Sequence, residues 1–227
     1  MGRCAGVFAL CLGIISMVGC GSGSSSTTQQ LRIVMASPDA PPVDILIDGT
    51  QVATALAYTN STAYLTVKSG GRQIQVLTVS NSTSIFQQTI SVTTSANQTL
   101  LLTGPASKMQ SLLLADGATK STTSTTGTGQ VRVVNASPTM GAPDVYIVNA
   151  GSSIAGTMPA ASKLAFNQAT SYQSEAIGNY QVFMTTPDTT NVLLNTGPLA
   201  LTQSQFQTVV ALDAIGGGFN FIVLTDQ

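Results

Sequence analysis

The sequence contains no histidine and no tryptophan, and Glu175 is its single glutamate. Histidine is the usual general base and the commonest metal ligand near neutral pH, so its absence argues against most hydrolytic and zinc chemistry. Charge is also scarce: 8 Lys and Arg face 9 Asp and Glu, and the formal net charge is −1. Because no basic field exists to attract phosphates, we expect no nucleic-acid partner. These absences favour a protein that is not an enzyme and that uses no cofactor.

Apolar surface, in contrast, is plentiful: 43% of the 227 residues are hydrophobic, whereas only 7% are charged. A charge-rich disordered chain is therefore excluded, because there is ample apolar surface to bury. The length suits one large domain or two small ones.

Cysteine occurs only near the N-terminus, at Cys4, Cys11 and Cys20. Residues 1–19 contain the basic Arg3 followed by an apolar run, which is shorter than the roughly 20 residues of a membrane span. This combination is typical of an export signal. The alternatives are an ordinary signal peptide cut elsewhere and an uncleaved anchor.

The junction Val18-Gly19-Cys20, followed by a stretch rich in Gly and Ser, resembles the bacterial lipobox. The resemblance implies cleavage after Gly19 and attachment of lipid to the Cys20 sulfur. Gly21, in place of an Asp after the cysteine, resembles lipoproteins destined for the outer membrane. Cys20 would then be the only thiol of the mature chain, so no disulfide could form within it. Residues 20–30 are expected to be a flexible tether.

The remainder of the chain is an internal repeat. Leu31–Pro38 parallels Val131–Pro138, and Leu112–Asp116 parallels Ile222–Asp226. The offset between the copies grows by about ten residues from start to end, so the second copy contains an insertion of that size. A run of Gly, Ser and Thr separates the copies and is typical of a linker. We therefore expect two domains that can each fold alone. The boundaries are residues 31–116 for the first domain, 117–129 for the linker and 130–227 for the second domain.

Short strands with turn residues between them account for both copies. In the first copy, apolar and polar residues alternate around Leu31 and Ile45, and Asp48-Gly49 supplies a hairpin turn. Further strands are predicted there at Ala63–Val67, Gln73–Val79, Ile85–Val92, Thr99–Thr103 and Gln110–Ala115. The second copy has predicted strands at Gln130–Asn135, Val145–Asn149, Tyr180–Thr185, Leu199–Leu201, Thr208–Leu212 and Phe219–Leu224. Gly216-Gly217-Gly218 is predicted to be a hairpin turn, and Ala160–Ala169 is the one modest helix candidate. This pattern predicts an all-β fold with two tandem antiparallel β-sandwiches, immunoglobulin-like or of a similar Greek-key type.

The repeated motifs resemble the bacterial domain-of-unknown-function family 4397. The resemblance is carried by Arg32–Pro38 with Val43–Gly49 and by Arg132–Pro138 with Asp144–Ile147. The closing residues of the two copies, Asp116 and Asp226, also fit. The resemblance implies a secreted or lipid-anchored envelope protein with tandem copies, and it implies no activity.

Three carboxylates near the first motif, Asp39, Asp44 and Asp48, are the candidate ligands for calcium, because that ion prefers carboxylate oxygens. Asp44 and Asp48 are four residues apart on one predicted strand, which separates their Cα atoms by about 13 Å. The second copy has Thr139 in place of Asp39. We therefore expect Asp39 and Asp48 to be turn residues and Asp44 to be an exposed strand charge, with no metal bound.

Two repeated serines, in Ser37-Pro38 and Ser137-Pro138, are the candidate nucleophiles. Without histidine, a lysine or a carboxylate would have to act as their base, and no Ser-x-x-Lys sequence is present. Proline lacks the N–H that strand pairing needs, so Ser-Pro also ends a strand. We expect these serines to mark strand ends, with no catalytic role.

The five tyrosines are the remaining candidates: Tyr58, Tyr64, Tyr146, Tyr172 and Tyr180. An exposed row of tyrosines would form a platform on which sugar rings stack. With no tryptophan and few flanking charges, packing in the core or at sheet edges is the expectation.

Together these features predict a lipid-anchored cell-envelope protein, held on the outer membrane through lipidated Cys20, with a non-catalytic structural, adhesive or binding role. The expected partner besides the membrane is an envelope protein or a polysaccharide. The alternative is a carbohydrate-binding module on the cell surface, which would need an exposed row of aromatic side chains. An enzyme of unknown type would need polar groups that converge in a deep pocket.

Overall fold

Both copies fold into short β-strands, as their alternating patterns predict. The computed structural model describes residues 1–2, 27–117 and 127–226. The strands of the first repeat are β1 (Thr28–Ala36), β2 (Val43–Ile47), β3 (Thr50–Leu56), β4 (Leu65–Lys68), β5 (Gly70–Thr78), β6 (Ser84–Val92), β7 (Gln98–Thr103) and β8 (Gln110–Ala115). Those of the second repeat are β9 (Thr128–Asn135), β10 (Asp144–Asn149), β11 (Gln168–Ala169), β12 (Gln173–Ala176), β13 (Gly178–Thr185), β14 (Val192–Asn195), β15 (Leu199–Leu201), β16 (Phe206–Asp213) and β17 (Phe219–Asp226). One turn of 3₁₀ helix, Ala106–Lys108, precedes β8. Within the described ranges, no helix is long and apolar enough to cross a membrane.

Each repeat is a sandwich of two sheets. In the first repeat, one sheet has the order β4-β1-β7-β8 and the other has the order β3-β2-β5-β6. In the second repeat, β11 and β12 both pair with the same edge of β9, β16 pairs with its other edge, and β17 follows β16. The other sheet of this repeat has the order β10-β13-β14, with β15 also paired to β13. Apolar side chains from both sheets form one core in each repeat. The prediction of an all-β fold built from β-sandwiches is confirmed.

One strand pair in each repeat is parallel: β1 with β7, and β9 with β16. These strands are buried on both faces, which is the usual condition of parallel strands. In β1, for example, Ile33 lies in the sandwich core, whereas Val34 lies in an apolar cluster on the other side of the sheet. Among the described strands, every other pair has the antiparallel orientation that the sequence predicts.

The two predicted hairpin turns are present. Asp48 and Gly49 join β2 to β3 with φ angles of 50° and 78°, and two positive φ angles in a two-residue loop are the mark of a type I′ turn. The three glycines at 216–218 join β16 to β17, and all three have positive φ. Strand β3 itself was not predicted, because its residues are mostly exposed and do not alternate in polarity.

The helix considered at Ala160–Ala169 does not form, so that alternative is wrong. Ala161 instead pairs with Val145 in an isolated bridge, and the last two residues of the segment form β11. Pairing with neighbouring strands satisfies the backbone there and outweighs a weak local helix propensity. Strands β11, β12 and β14 were not predicted from the sequence, because each has four residues or fewer and shows little alternation.

The ends of the repeats extend slightly beyond the segments that the sequence assigns to them. Strand β1 begins at Thr28, inside the predicted tether, because residues 28–31 pair with β4. Strand β9 begins at Thr128, inside the predicted linker, because residues 128–131 pair with β12. Cys20 and the rest of residues 3–26 lie outside the described residues, as do residues 118–126.

A third apolar cluster lies between the two repeats. It is formed by the outer faces of the two sheets that contain the parallel pairs. Its buried members are Val34, Ala36, Leu101 and Leu114 from the first repeat, and Val134, Ala136, Val210, Leu212 and Leu224 from the second. Tyr58 adds a polar contact across the same boundary, because its Oη donates a hydrogen bond to the backbone carbonyl of Asp213. The two repeats therefore share a buried interface in addition to their own cores.

Candidate functional site

Four charged side chains meet inside this interface, and we call them the charge cluster: Arg32, Asp116, Arg132 and Asp226. Each is at most 6% exposed. Arg132 Nη2 lies 3.0 Å from Asp116 Oδ1, and Arg32 Nη2 contacts Asp226 Oδ1 in the same way. Within each repeat the N–O separations are longer, 3.9 Å for Arg32–Asp116 and 3.5 Å for Arg132–Asp226. Each arginine therefore pairs most closely with the aspartate of the other repeat.

Two threonines, Thr99 and Thr208, hold the charged groups in position. Thr99 Oγ1 donates to Asp116 Oδ2 at 2.6 Å and accepts from Arg32 Nε and Nη2. Thr208 Oγ1 likewise donates to Asp226 Oδ2 at 2.5 Å and accepts from Arg132 Nε and Nη2. Hydrogen bonds to charged groups are about twice as strong as those between neutral groups.

Two tyrosines, Tyr64 and Tyr172, close the outer side of the cluster. Tyr64 Oη donates to Asp116 Oδ2 at 2.7 Å, and Tyr172 Oη donates to Asp226 Oδ2 at 2.6 Å. The guanidinium carbons of the arginines lie 4.8 Å and 4.4 Å from the centres of the Tyr64 and Tyr172 rings, within the range of cation–π contact. Each repeat thus supplies the same four side-chain types, an arginine, an aspartate, a threonine and a tyrosine.

Backbone groups complete the contacts across the interface. Arg32 Nη1 donates to the carbonyl of Thr225 at 2.9 Å, and Arg132 Nη1 donates to the carbonyl of Ala115 at 2.7 Å. Gly117 lies so close to the Phe206 ring that a Cβ at this position would be 2.3 Å from it. A side chain at residue 117 would therefore push the repeats apart.

Burial raises the pKa values of one carboxyl group and three phenols at the interface. Burial raises the pKa of the Asp116 carboxyl, with an addition from the charge of Asp226, and hydrogen bonds from Thr99 and Tyr64 oppose that rise. Burial and the neighbouring carboxylates also raise the pKa values of Tyr64 and Tyr172, so both phenols stay neutral donors in the ordinary pH range. Burial, with the negative charge of Asp213, raises the pKa of Tyr58 to about 12.

The raised pKa of Tyr58 predicts a loss of stability at alkaline pH. An unfolded tyrosine ionises near pH 10, whereas folded Tyr58 holds its proton up to about pH 12, so stability is lost as the pH rises through that window. The variant Tyr58→Phe is expected to be less stable at pH 7 by about 1 kcal/mol, because one hydrogen bond is gone. Its stability should also fall less steeply between pH 10 and 12. Urea unfolding at a series of pH values measures both effects, and equal slopes in the two proteins would contradict the assignment.

The sequence contained signals for this cluster that were not used to predict it. Arg32 and Arg132 interrupt the apolar runs of residues 31–36 and 131–134 at equivalent positions, and Asp116 and Asp226 close the two copies. The repeat comparison therefore identified all four residues as matching pairs. It did not predict that the arginine of one copy binds the aspartate of the other, because a repeat pattern does not show how the copies pack.

The three carboxylates considered for calcium all accept backbone hydrogen bonds. Asp39 accepts from Ala106 N at 2.8 Å, Asp44 from Ala55 N at 2.9 Å, and Asp48 from Gln73 N at 2.9 Å. Asp48 Oδ2 also pairs with Arg72 at 2.8 Å. Asp39 and Asp48 lie in turns, as predicted, whereas Asp44 is partly buried and ties β2 to β3. Among the described residues, no three His, Cys, Asp or Glu side chains are grouped so that they could hold a metal.

Chelation of metal ions with EDTA is accordingly expected to leave the melting temperature unchanged. An ion that prefers the folded state stabilises it by mass action, so its removal would lower the midpoint. Thermal unfolding with EDTA and with added calcium measures this. A rise in melting temperature with calcium, lost in Asp39→Ala or Asp44→Ala, would contradict the expectation.

The two repeated serines are fully buried at the ends of β1 and β9 and are occupied by structural hydrogen bonds. Ser37 Oγ donates to Asp39 Oδ1 at 3.4 Å, and Ser137 Oγ donates to Asp213 Oδ1. Thr139, which stands in place of Asp39, donates to the same carboxylate of Asp213 at 2.8 Å. The carboxylate thus comes from the loop after β1 in the first repeat and from the end of β16 in the second. This arrangement favours a structural role for both serines.

None of the five tyrosines lies on an exposed surface. Tyr146 and Tyr180 are buried at 7% exposure each, and the other three are partly buried with their hydroxyl groups bonded at the interface. The structure therefore brings Tyr58, Tyr64 and Tyr172 to the boundary between the repeats. They do not form the solvent-facing row that sugar stacking requires.

An open cleft of about 750 Å³ lies in the second repeat, bordered in part by the segment between β10 and β11. Buried Asp144 borders it and accepts backbone N–H groups from Lys163 and Asp188, both at 2.8 Å. The Lys163 and Asp188 side chains pair with each other on the surface at 3.0 Å. The charges at this cleft are therefore paired with one another or with the backbone.

The described residues define a class: a two-repeat all-β protein whose sandwiches meet at a shared, buried charge cluster. The chain belongs to the DUF4397 family, a domain of unknown function, and carries two tandem copies that match at residues 29–146 and 129–227. No curated protein matches the chain.

Two solved structures align with most of the chain at low similarity. One is a CBM26 carbohydrate-binding module of Eubacterium rectale Amy13K in complex with maltoheptaose, at 11% identity and a TM-score of 0.28, over 86% of this chain and 96% of the module. The other, from Bacteroides fragilis, is provisionally described as a cell adhesion protein, at 10% identity and a TM-score of 0.25, over 88% of this chain and 98% of that chain. Scores this low do not bear on the function of this chain.

Proposed function

We propose that this chain is a lipid-anchored cell-envelope protein with a non-catalytic structural, adhesive or binding role. The observation that carries the proposal is that ionisable side chains are buried in contacts between the two repeats. The charge cluster commits two arginines and two aspartates, together with Tyr64 and Tyr172, to contacts that hold the repeats together. A chain with few charges that buries them this way is suited to presenting a rigid surface, and the partner proposed for that surface is an envelope protein or a polysaccharide.

The proposed anchor is lipid on Cys20, which precedes β1 in the sequence. The resemblance of Val18-Gly19-Cys20 to the lipobox supports it, and only seven residues separate Cys20 from β1 at Thr28. Each buried methylene of an acyl chain contributes about 0.8 kcal/mol to membrane binding, so more than one chain would hold the protein firmly. Gly21 supports the outer membrane as its destination.

A carbohydrate-binding module on the cell surface was the alternative. Such a module needs aromatic faces that are open to solvent, and the tyrosines of this chain are buried or engaged at the interface. A polysaccharide partner would then have to be bound through polar groups. A glycan array probed with the mature protein measures this directly, and strong binding to one glycan class would make carbohydrate recognition the primary role.

The variant Cys20→Ser is expected to abolish lipidation, because no other residue of the junction offers a thiol. Wild-type protein should partition into the detergent phase of a phase-separation assay, whereas the variant should remain in the aqueous phase. The matched control is Cys11→Ser, which alters a cysteine inside the predicted signal and should not change the partition. Mass spectrometry that finds unmodified Cys20, with cleavage elsewhere, would contradict the proposal.

A further inference from the structure

The two faces of the interface correspond to each other at the charge cluster and at several apolar positions. Each face carries one arginine and one aspartate, and each arginine finds its closest carboxylate on the opposite face. The apolar positions correspond as well, since Val34 matches Val134 and Leu114 matches Leu224. The interface surface of the first repeat is therefore complementary to that of the second repeat, whether the two belong to one chain or to two chains.

A single stretch of chain joins the two faces. Residues 118–126 contain only Ala, Thr, Lys and Ser. The ten residue steps from Gly117 to Gly127 can span up to roughly 35 Å when extended. The contacts that hold the repeats together are all non-covalent, so they do not depend on which molecule supplies each repeat.

We propose that this face binds a second copy of the chain by exchange of repeats. In the exchanged dimer, the first repeat of one molecule closes its charge cluster with the second repeat of the other, and the remaining two repeats do the same. Every ion pair and apolar contact of the interface is preserved, which is why exchange of identical elements is an inexpensive route to dimers. The proposal rests on the interface and not on the lipid anchor.

Chain concentration decides between the two arrangements. A short linker gives its two ends an effective concentration in the millimolar range, which favours the closed monomer in dilute solution. Opening the interface exposes its apolar cluster to water and separates its ion pairs, so folded monomers should exchange slowly. The dimer is therefore expected when chains refold together at high concentration and not when folded monomers are simply concentrated.

Charge reversal provides the test. The first-repeat variant is Arg32→Asp with Asp116→Arg, and the second-repeat variant is Arg132→Asp with Asp226→Arg. Within either variant chain, like charges face each other across the interface. When the two variants are refolded together, exchange of repeats pairs each arginine with an aspartate in both interfaces. The fourfold variant, with all of these substitutions in one chain, restores opposite charges within the monomer and is the matched control.

The expected result is a fourfold variant that is a folded monomer and a mixture of the other two variants that elutes at twice the monomer mass. A homodimer of one variant alone would contradict the proposal, because only pairing of like repeats, first with first and second with second, places opposite charges together in it. If the fourfold variant folds and no dimer appears in the mixture, the proposal is wrong.

Wild-type protein gives a second test that does not require reversed charges to fold. Chains that carry two different affinity tags are unfolded in urea and refolded together at increasing concentration. The fraction of chains in mixed-tag dimers should rise with concentration, whereas folded chains mixed at the same concentration should give none. If refolded chains remain monomeric at every concentration, the proposal is also wrong.

Discussion

Replacement of Arg132 by methionine is expected to lower the free energy of unfolding by about 3–5 kcal/mol, because removal of one member of a buried ion pair leaves its partner uncompensated. Arg132 is 4% exposed and contacts Asp116 at 3.0 Å and Asp226 at 3.5 Å. The variant leaves both carboxylates buried with Arg32 as their only cation in the charge cluster. Methionine keeps much of the apolar stem, so the loss reports on charge more than on volume. Urea unfolding at neutral pH measures it.

The matched control for this variant is Arg72→Met. Arg72 pairs with Asp48 at 2.8 Å, a distance similar to that of the buried pair, but the two side chains are 24% and 45% exposed. Exposed ion pairs contribute about 0–1 kcal/mol, so this control should lose no more than that. Equal losses in the two variants, or a loss below 1 kcal/mol for Arg132→Met, would contradict the view that the charge cluster holds the repeats together.

The second large effect is expected at Leu101, which is fully buried between the repeats. Leu101→Ala should cost about 2–5 kcal/mol, the usual range for removing a buried leucine side chain. Because the cavity opens between the repeats, the variant should also weaken the coupling between them. Its unfolding should then separate into two steps, one for each repeat, when followed by circular dichroism in urea.

The adjacent Leu102 is the matched control for Leu101. It lies on the same strand with the same side chain and is also fully buried, but it faces the core of the first sandwich. Leu102→Ala should lose a similar amount of stability without separating the transition into two steps. If both variants unfold in the same way, the apolar cluster between the repeats does not couple them.

Much of the fold could be predicted from the sequence, because local patterns determine it. The alternation around Ile45 predicted β2, and Asp48-Gly49 predicted the hairpin that follows it. The parallel pairing of β1 with β7 could not be predicted, since both strands contain apolar residues on both faces. A continuous apolar run indicates a strand buried between two layers, and Leu100-Leu101-Leu102 is the clearest such run. The run does not indicate which strand lies beside it or in which direction.

The candidate site was harder to predict than the fold. Arg32 and Asp116 were recognised as repeated residues, but their closest partners, Asp226 and Arg132, lie 194 and 16 positions away along the chain. No local pattern encodes that pairing, because it depends on how one finished sandwich packs on the other. The repeated serine bonds to Asp39 in the first repeat and to Asp213 in the second. The sequence does not predict this difference, for the same reason.

Calorimetry of the wild-type protein tests whether the charge cluster and the apolar cluster around it join the two repeats into one unit. The sequence alone predicts that residues 31–116 and 130–227 each fold independently, which would give two thermal transitions. The shared interface predicts one transition, in which the calorimetric enthalpy equals the van't Hoff enthalpy. Two resolved transitions, each with the enthalpy of a single repeat, would contradict the claim.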